Sequence, residues 1–593
     1  MKRIKILFPI IFLVLIVGFL PISMNVNSLS EKVSINDDIR LNDLSSWWWE
    51  PLELISPEFD THNFFSKIAV DNSNNIHIIT SSDDDILGSG TDRDVFYKIF
   101  DYVTKSWSEL ELVSTDGSSY SENPDIAVDS TGTVHVVWLE SADILGSGTD
   151  RDICYKEKTS SGWSPTELVS IESDSTSTYL SIVADSNAVV HVAWEDFADY
   201  TLADGDQDIF YKHRSSAGIW SAAKIITDLS TSSTYSPDIQ LDSQENVIIT
   251  WNDPSNILGS GSDQDVFYRQ LDKDFITWSP LKLISSESDG ASGSPCLSKG
   301  VDGMIHIVWG DYSDYEGAGS DADIFYKSYD SKLDSWSISE VVSTESTGTA
   351  FRTSIDVDGT NSVYVIWEDT TDVGGGGTGN NILFKYLDLN THTWSSLAIL
   401  TYDNTATSFT PALAVDSLGH VHTIFMDSDA SLLGSGADYD LFYKKFVGAP
   451  MQPILEEINP NPASMGNIPL SWSLVQDATS YEIYRETSQF SSTSGLTAID
   501  TSTTTSYTDT VTAAGYYYYA VVATNEYGES LVSNVEFVEV TEDTSGIFAS
   551  LEIGELLIFA GIVLGLQLIF SLLTYALLSS KIKSGAKTKS GKK

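Results

Sequence analysis

Residues 127–138 read Ala-Val-Asp-Ser-Thr-Gly-Thr-Val-His-Val-Val-Trp, and residues 414–425 read Ala-Val-Asp-Ser-Leu-Gly-His-Val-His-Thr-Ile-Phe. In both stretches an Asp- and Gly-containing turn leads into a run rich in β-branched and aromatic residues, which is typical of a tight turn entering a strand. Two such similar stretches, far apart in one chain, indicate an internal repeat.

Two sequence markers give the period of this repeat. A Trp returns at intervals of 58, 56, 57, 58, 58 and 58 residues, and an aromatic residue followed by Lys or Arg returns in step with it. The Trp positions are Trp49, Trp107, Trp163, Trp220, Trp278, Trp336 and Trp394. The paired positions are Tyr97-Lys98, Tyr155-Lys156, Tyr211-Lys212, Tyr268-Arg269, Tyr326-Lys327, Phe384-Lys385 and Tyr443-Lys444. Each marker therefore occurs seven times.

Each repeat unit contains four short strand signals. In the second unit they fall at 125–128, 134–138, 153–156 and 163–170. Four strands in each of seven units predict an all-β fold, a seven-bladed β-propeller over residues 45–446, with an open solenoid as the alternative. The first Trp element precedes any first strand, and the last unit ends without one. We therefore expect the N-terminal segment to supply the fourth strand of the last blade and to close the ring.

Two regions of the sequence resemble known families in their motifs. The stretches quoted first resemble repeats of secreted, sialidase-like propellers, and this resemblance implies the propeller fold over 45–446. The sialidase Asp-box spacing S-x-D-x-G-x-x-W does not occur in the chain. Residues 453–540 resemble a fibronectin type III domain in Leu470-Ser-Trp472, Tyr481-Glu-Ile-Tyr484 and the strand-like run from Tyr517 to Asn525. That resemblance implies a β-sandwich that serves as a spacer or interaction module.

The two ends of the chain predict where the protein resides. Residues 1–30 have a basic start and an apolar run, as in a signal peptide or a signal anchor. After a stalk over 541–555, residues 556–578 are long and apolar enough for a transmembrane helix, and 579–593 form a basic tail. Basic flanks face the cytoplasm, so the sequence predicts a single-pass cell-membrane protein with its ectodomain outside.

Composition excludes several classes of function. The chain has 84 acidic residues against 32 Lys and Arg, for a net charge of −52. Such a surface excludes nucleic acid as a partner, because phosphate binding needs basic residues. Two Cys residues exclude a disulfide scaffold and a Cys-based zinc site.

The loops between the second and third strands carry the most repeated polar motif. Blade one reads Ile-Leu-Gly-Ser-Gly-Thr-Asp-Arg-Asp over 86–94, and blade six departs from the motif. The candidate metal ligands are Asp92, Asp94, Asp150, Asp152, Asp206, Asp208, Asp263, Asp265, Asp321, Asp323, Asp438 and Asp440. A further acid follows most second strands, as Glu140 does. Carboxylates and accessible carbonyls in a flexible loop suit Ca²⁺. The alternative is that these acids cap strand ends and form a solvated face.

No catalytic constellation stands out in the sequence. The acids follow the repeat, whereas a catalytic site should break the repeat in one blade, and no Ser/His/Asp nucleophile motif is present. Five recurrent His residues and the repeat Trp residues fit packing positions. The sequence therefore favours a surface binding or adhesion protein for an extracellular glycan or protein ligand. The alternatives are a sialidase-like glycan hydrolase and a structural component of the cell envelope.

Overall fold

The computed structural model describes residues 48–148, 150–198, 205–300, 303–319, 321–359, 362–371, 379–389, 391–401, 407–428, 432–433, 435, 438–447, 452–475, 478–525, 528–542 and 553–586. The predicted signal segment, 1–30, lies outside these residues, as does most of the predicted stalk. The described chain is almost entirely β, with one helix near the C-terminus.

Seven antiparallel sheets follow one another along the chain, and we number them as blades one to seven. The innermost strands are Asn63–Val70, Ser121–Val128, Ser177–Ala184, Tyr235–Leu241, Ser292–Lys299, Ala350–Val357 and Ser408–Val415. The second strands are Ile76–Ser82, Val134–Glu140, Val190–Asp196, Val247–Asp253, Ile305–Asp311, Ser362–Asp369 and Val421–Asp427. The third strands are Asp94–Asp101, Asp152–Thr159, Asp208–Arg214, Asp265–Leu271, Asp323–Asp330, Asn381–Asp388 and Asp440–Val447.

The outermost strand is interrupted, unlike the continuous fourth strand predicted from the sequence. Its pieces are Ser106–Trp107 and Glu111–Leu112, Gly162–Trp163 and Glu167–Leu168, Lys224–Ile225, Lys282–Leu283, Ser335–Trp336 and Glu340–Val341, and Thr393–Trp394 and Ala398–Ile399. At the interruption, a hydrogen bond to a serine side chain takes the place of a backbone–backbone hydrogen bond of the sheet. In blade two, Ser164 Oγ accepts from Glu157 N at 3.0 Å, while Ser164 N donates to Glu157 O at 2.8 Å.

The ring closes as the sequence predicts. Trp48–Trp49 and Glu53–Leu54 pair with the third strand of blade seven, in the register Trp49↔Phe446 and Leu54↔Phe442. The inner strands of blades one and seven are also in contact. The protein is therefore a closed seven-bladed β-propeller, and the open solenoid is excluded.

Both sequence markers join neighbouring blades. Each repeat Trp meets the aromatic ring of the preceding blade edge-on, as in Tyr97–Trp163, whose centroids are 5.3 Å apart. The Lys or Arg of the second marker reaches the backbone carbonyl at the outer edge of the preceding blade, as in Lys212 Nζ to Val169 O at 2.7 Å. The prediction that the repeat Trp residues occupy packing positions is confirmed.

The recurrent His residues are structural too. His77, His135, His191, His306 and His422 each place Nδ1 at 2.7 or 2.8 Å from a Tyr hydroxyl of the third strand. In blades one to four, six and seven the Asp of the inner turn caps that turn; Asp129 Oδ1, for example, accepts from the backbone N of Thr131 and of Thr133.

Two further elements follow the propeller. A six-stranded sheet contains Ala463–Ser464, Glu536–Thr541, Gly515–Asn525, Ser480–Glu486, Asp500–Ser502 and Gly528–Glu529, and a two-stranded sheet pairs Gly466–Ser471 with Ser506–Val511. One apolar core, including Ile468, Ile483 and Val521, joins the two sheets. The helix Ile553–Ala586 contains an exposed apolar stretch, Gly561–Ser579, with mean hydropathy 2.1, which is long enough to cross a membrane.

Candidate functional site

The second acid of each predicted Asp pair opens a third strand and is deeply buried. At most 3% of any of these residues is exposed. Oδ1 of Asp323 accepts from Ser343 Oγ at 2.6 Å, and Asp152 and Ser170 repeat this bond at 2.8 Å. Burial raises the pKa of four of these carboxyls to about 6; they are Asp94, Asp152, Asp265 and Asp323. Hence these acids tie the third strand to the outer strand of the same blade.

The first acid of each pair is half-buried, and in blades one, two, four and five it lies against a glycine of its own loop. A Cβ built on Gly148, whose φ is +113°, would lie 2.8 Å from Asp150 Oδ1, and Gly319 and Asp321 repeat this approach at 3.0 Å. The loop therefore needs glycine there. The structure brings the predicted residues together as one pair in each of six blades, in separate loops.

The further acid that ends the second strand of blades two to seven is bonded within its own blade. Asp311 Oδ2 accepts from Trp309 Nε1 at 2.9 Å and from Ser292 Oγ at 2.7 Å, while its Oδ1 accepts from Ser288 Oγ and Ser313 N. These acids hold the strand end in place. They are therefore occupied by the fold rather than directed toward a ligand of the loop.

A pocket of about 270 Å³ lies on the face that carries the Asp loops, and because inner strands of the ring line part of it we call it the axial pocket. Blades six, seven and one line it with Phe64, Phe65, Arg352, Asn380, Thr407, Phe409, Thr410, Met426 and Tyr439. Phe409 and Tyr439 meet edge-on with centroids 4.5 Å apart. The rings and one cation thus share a small cleft in one sector of the ring.

The inner strands bulge where they reach this face. Every blade has a non-glycine residue in the left-handed region there: Phe65, Asn123, Tyr179, Ser236, Ser294, Arg352 and Thr410, with φ between 25° and 54°. The bulge shifts the strand register, so the usual alternation of side chains between the two faces of a strand does not decide which way these residues point. Because the seven residues differ in chemistry, the bulge position is where the repeat loses its symmetry.

Two buried glutamates support these bulges. Glu368 Oε1 accepts from Thr410 N at 2.5 Å and lies 3.2 Å from the Arg352 guanidinium, while its Oε2 accepts from Asn380 Nδ2 at 3.3 Å. All three partners line the pocket. In blade three, Glu195 binds Ser236 N in the same way, and burial raises its pKa to about 7. Burial raises the pKa of Glu368 as well.

Blade seven contains one close group of metal-ligand types. One ligand atom each of Asp416, His420 and His422 lies within 4.8 Å of the other two. Asp416 Oδ2 lies 2.8 Å from His420 Nδ1 and 3.2 Å from His422 Nε2. In blade one, Asn75 Nδ2 donates to Asp71 Oδ2 at 2.8 Å from the equivalent position. His420 therefore takes the place of the Asn that caps the equivalent turn in blade one. This turn-capping role explains why the three side chains lie close together, without a metal ion.

No protein-family model matches this chain, and no curated protein matches its sequence. Among solved structures it is similar to the polysaccharide lyase Uly1, with TM-score 0.42 and 11% identity over 64% of this chain and 89% of that chain. It is similar to the sialidase NanB of Streptococcus pneumoniae, with TM-score 0.37 and 10% identity over 68% and 94% of the two chains. For an α-L-arabinanase of Penicillium chrysogenum, the TM-score is 0.35 with 12% identity over 55% and 92%.

The repeat pattern of the sequence does not predict the axial pocket. Phe65, Arg352 and Thr410 lie before the repeated motif that aligns the blades. The register shift at the bulge obscures the fact that they occupy equivalent positions in their blades. At the next-to-last residue of the second strand, blades three and six have Glu195 and Glu368. The other blades have unrelated residues there, namely Ser81, Leu139, Asn252, Gly310 and Met426. That irregularity is the signal present in the sequence.

Proposed function

We propose that this protein is a membrane-anchored surface protein whose propeller binds glycans in the axial pocket. The observation that carries the proposal is the convergence of Phe65, Phe409 and Tyr439 with Arg352 in one cleft. Aromatic faces pack against the C–H groups of a sugar ring, and a guanidinium donates to hydroxyl or carboxylate oxygens. A cleft of about 270 Å³ suits one or two sugar units at the end of a longer chain.

The remaining parts of the chain fit this role as presentation elements. We assign Gly561–Ser579 to the membrane, the two sheets after the propeller to a fibronectin-type spacer, and residues 1–30 to export. The high negative charge keeps such an ectodomain soluble and separated from other acidic surfaces.

The test is glycan binding by the full-length chain in detergent, on an array of neutral and acidic oligosaccharides. Phe65→Ala and Arg352→Ala should each lower the affinity for the best ligand about tenfold or more. Tyr312→Ala removes a 54% exposed aromatic side chain outside the pocket and is the matched control. Retention of wild-type binding by both pocket variants would contradict the proposal.

A glycan hydrolase is the second candidate, and Glu368 favours it. This buried acid has a raised pKa and contacts three pocket residues, so it is placed to act as a proton donor. Its oxygens are engaged by Thr410 N, Arg352 and Asn380, which equally suits a residue that shapes the pocket. Release of reducing sugar by wild type and its loss in Glu368→Gln, with binding retained, would favour the hydrolase.

A further inference from the structure

The Asp loops contain buried carboxylate oxygens that have no hydrogen-bond partner. In blades one, two, four and five, Oδ2 of the acid that opens the third strand is buried and unpartnered, although Oδ1 accepts from a serine. These residues are Asp94, Asp152, Asp265 and Asp323, each at most 2% exposed. A buried oxygen without a partner is costly, and four repeats of the same cost call for a common explanation.

In blades two and five a second oxygen shares this condition. Asp150 Oδ2 and Asp321 Oδ2, two residues before Asp152 and Asp323, are also buried and unpartnered. In each of these two blades, two carboxylates of one loop thus have a buried oxygen that accepts no hydrogen bond.

The charges around these oxygens are negative. The side chains that act electrostatically on Asp323 are the acids Asp321, Asp369 and Asp311. The Lys of the same strand, Lys327, is engaged elsewhere, with Ile284 O at 2.6 Å and with Glu287. A cation in the loop would offset this repulsion and give the free oxygens a ligand.

The blade-five loop also has room beside it. A cavity of about 330 Å³ is lined by Asp323 and Ser343 together with Glu316, Gly317 and Ala318 of the loop. Carboxylate, hydroxyl and backbone carbonyl oxygens in an irregular loop are the donors that Ca²⁺ takes, whereas Mg²⁺ needs a stricter octahedron and Zn²⁺ prefers nitrogen and sulfur.

We propose that the loops of blades two and five each bind one Ca²⁺, held by Asp150 with Asp152 and by Asp321 with Asp323. The ion would fix the loop to the start of the third strand on the face that carries the axial pocket. This inference is independent of glycan binding, because it concerns the loops alone.

The test is calcium titration of the full-length chain in detergent, by calorimetry and by elemental analysis after gel filtration, at fixed ionic strength. We expect the double variant Asp150→Asn/Asp321→Asn to bind about two fewer Ca²⁺ per chain than wild type. This variant keeps the buried Asp152 and Asp323, so it should fold, and circular dichroism in EDTA checks that it does. The charge-matched control, Asp174→Asn/Asp289→Asn, changes two exposed acids and should bind as wild type does.

Three outcomes would overturn the proposal. The first is that wild type retains no Ca²⁺ after gel filtration, the second that the double variant retains as much as wild type, and the third that Mg²⁺ displaces Ca²⁺ at equal concentration. If the double variant does not fold, the wild-type melt decides: a Tm unchanged between EDTA and millimolar CaCl₂ contradicts bound calcium, since a native-state ligand must raise it.

Discussion

Lys98 Nζ donates to the backbone carbonyl of Ile55 at 3.0 Å, across the joint at which the ring closes. Ile55 directly follows the N-terminal strands that complete blade seven, and Lys98 belongs to blade one. The same bond joins five other pairs of neighbouring blades, as between Lys327 and Ile284 O at 2.6 Å. The closing joint is therefore built like these five joints within the continuous repeat.

We predict that the N-terminal strands are essential for a cooperative ring. Deleting residues 31–56 removes Trp48–Trp49 and Glu53–Leu54 and uncovers the edge of Asp440–Val447. The Tm should fall by roughly 10 °C or more, with self-association through the open edge. Deleting only 31–44 is the control, and calorimetry with gel filtration provides the measurement. Equal melts for the two deletions would show that closure contributes little.

The buried lysines between blades should contribute measurably to stability. Lys212 is 1% exposed and binds Val169 O and Glu172. Lys212→Met fills the space but leaves the carbonyl and the carboxylate without their donor, which should cost about 1–3 kcal/mol. Urea unfolding measures the difference. Lys273→Met, at an exposed position, should change the free energy of unfolding by less than about 0.5 kcal/mol.

The pH dependence of stability should reflect Glu195. Burial raises its pKa to about 7, above the value near 4.3 of an unfolded chain, so between these values the folded state holds a proton that the unfolded state has lost. Its contribution to stability is therefore present at low pH and is lost as the pH rises through about 7. Glu195→Gln should flatten the stability profile between pH 5 and 8 by up to about 3 kcal/mol.

The exposed Glu109→Gln is the control for this profile. Chemical denaturation at a series of pH values provides the measurement. An unchanged slope in Glu195→Gln would mean that Glu195 is ionised in the folded protein throughout this range.

The apolar stretch Gly561–Ser579 should anchor the protein. Leu566→Arg with Leu573→Arg places two charges in it, at about 2.5–3.5 kcal/mol each for insertion, and should shift the protein from the membrane pellet to the supernatant after carbonate extraction. Leu566→Ala with Leu573→Ala should stay in the pellet. Pelleting of the Arg variant would show that another segment holds the protein.

The propeller could be predicted from the sequence because the motifs that specify one blade recur along the chain. The Trp that returns every 56–58 residues and the aromatic-Lys or aromatic-Arg pair each occur seven times, and each has one packing role, so the copies confirm one another. The closure by Trp48–Trp49 followed from counting where the pattern starts and stops.

The site could be predicted only in part, because it lies where the repeat fails. Phe65 and Arg352 stand on inner-strand bulges, whose register shift breaks the alternation used to infer which face a side chain occupies. The Asp pairs were visible in the sequence, but it could not show that Asp323 would bury one oxygen against a serine and leave the other unpartnered.

The strand Asp440–Val447 is hydrogen-bonded along both edges, to Val421–Asp427 on one side and to the N-terminal strands on the other. It is also the last propeller strand before the chain continues toward the C-terminal helix. Tension from a membrane anchored at that helix would enter the propeller at the C-terminal end of this strand, where hydrogen bonds on both edges hold it. The segment that closes the ring is thus also a mechanical clamp on the strand through which a tethered, ligand-bound protein would be pulled.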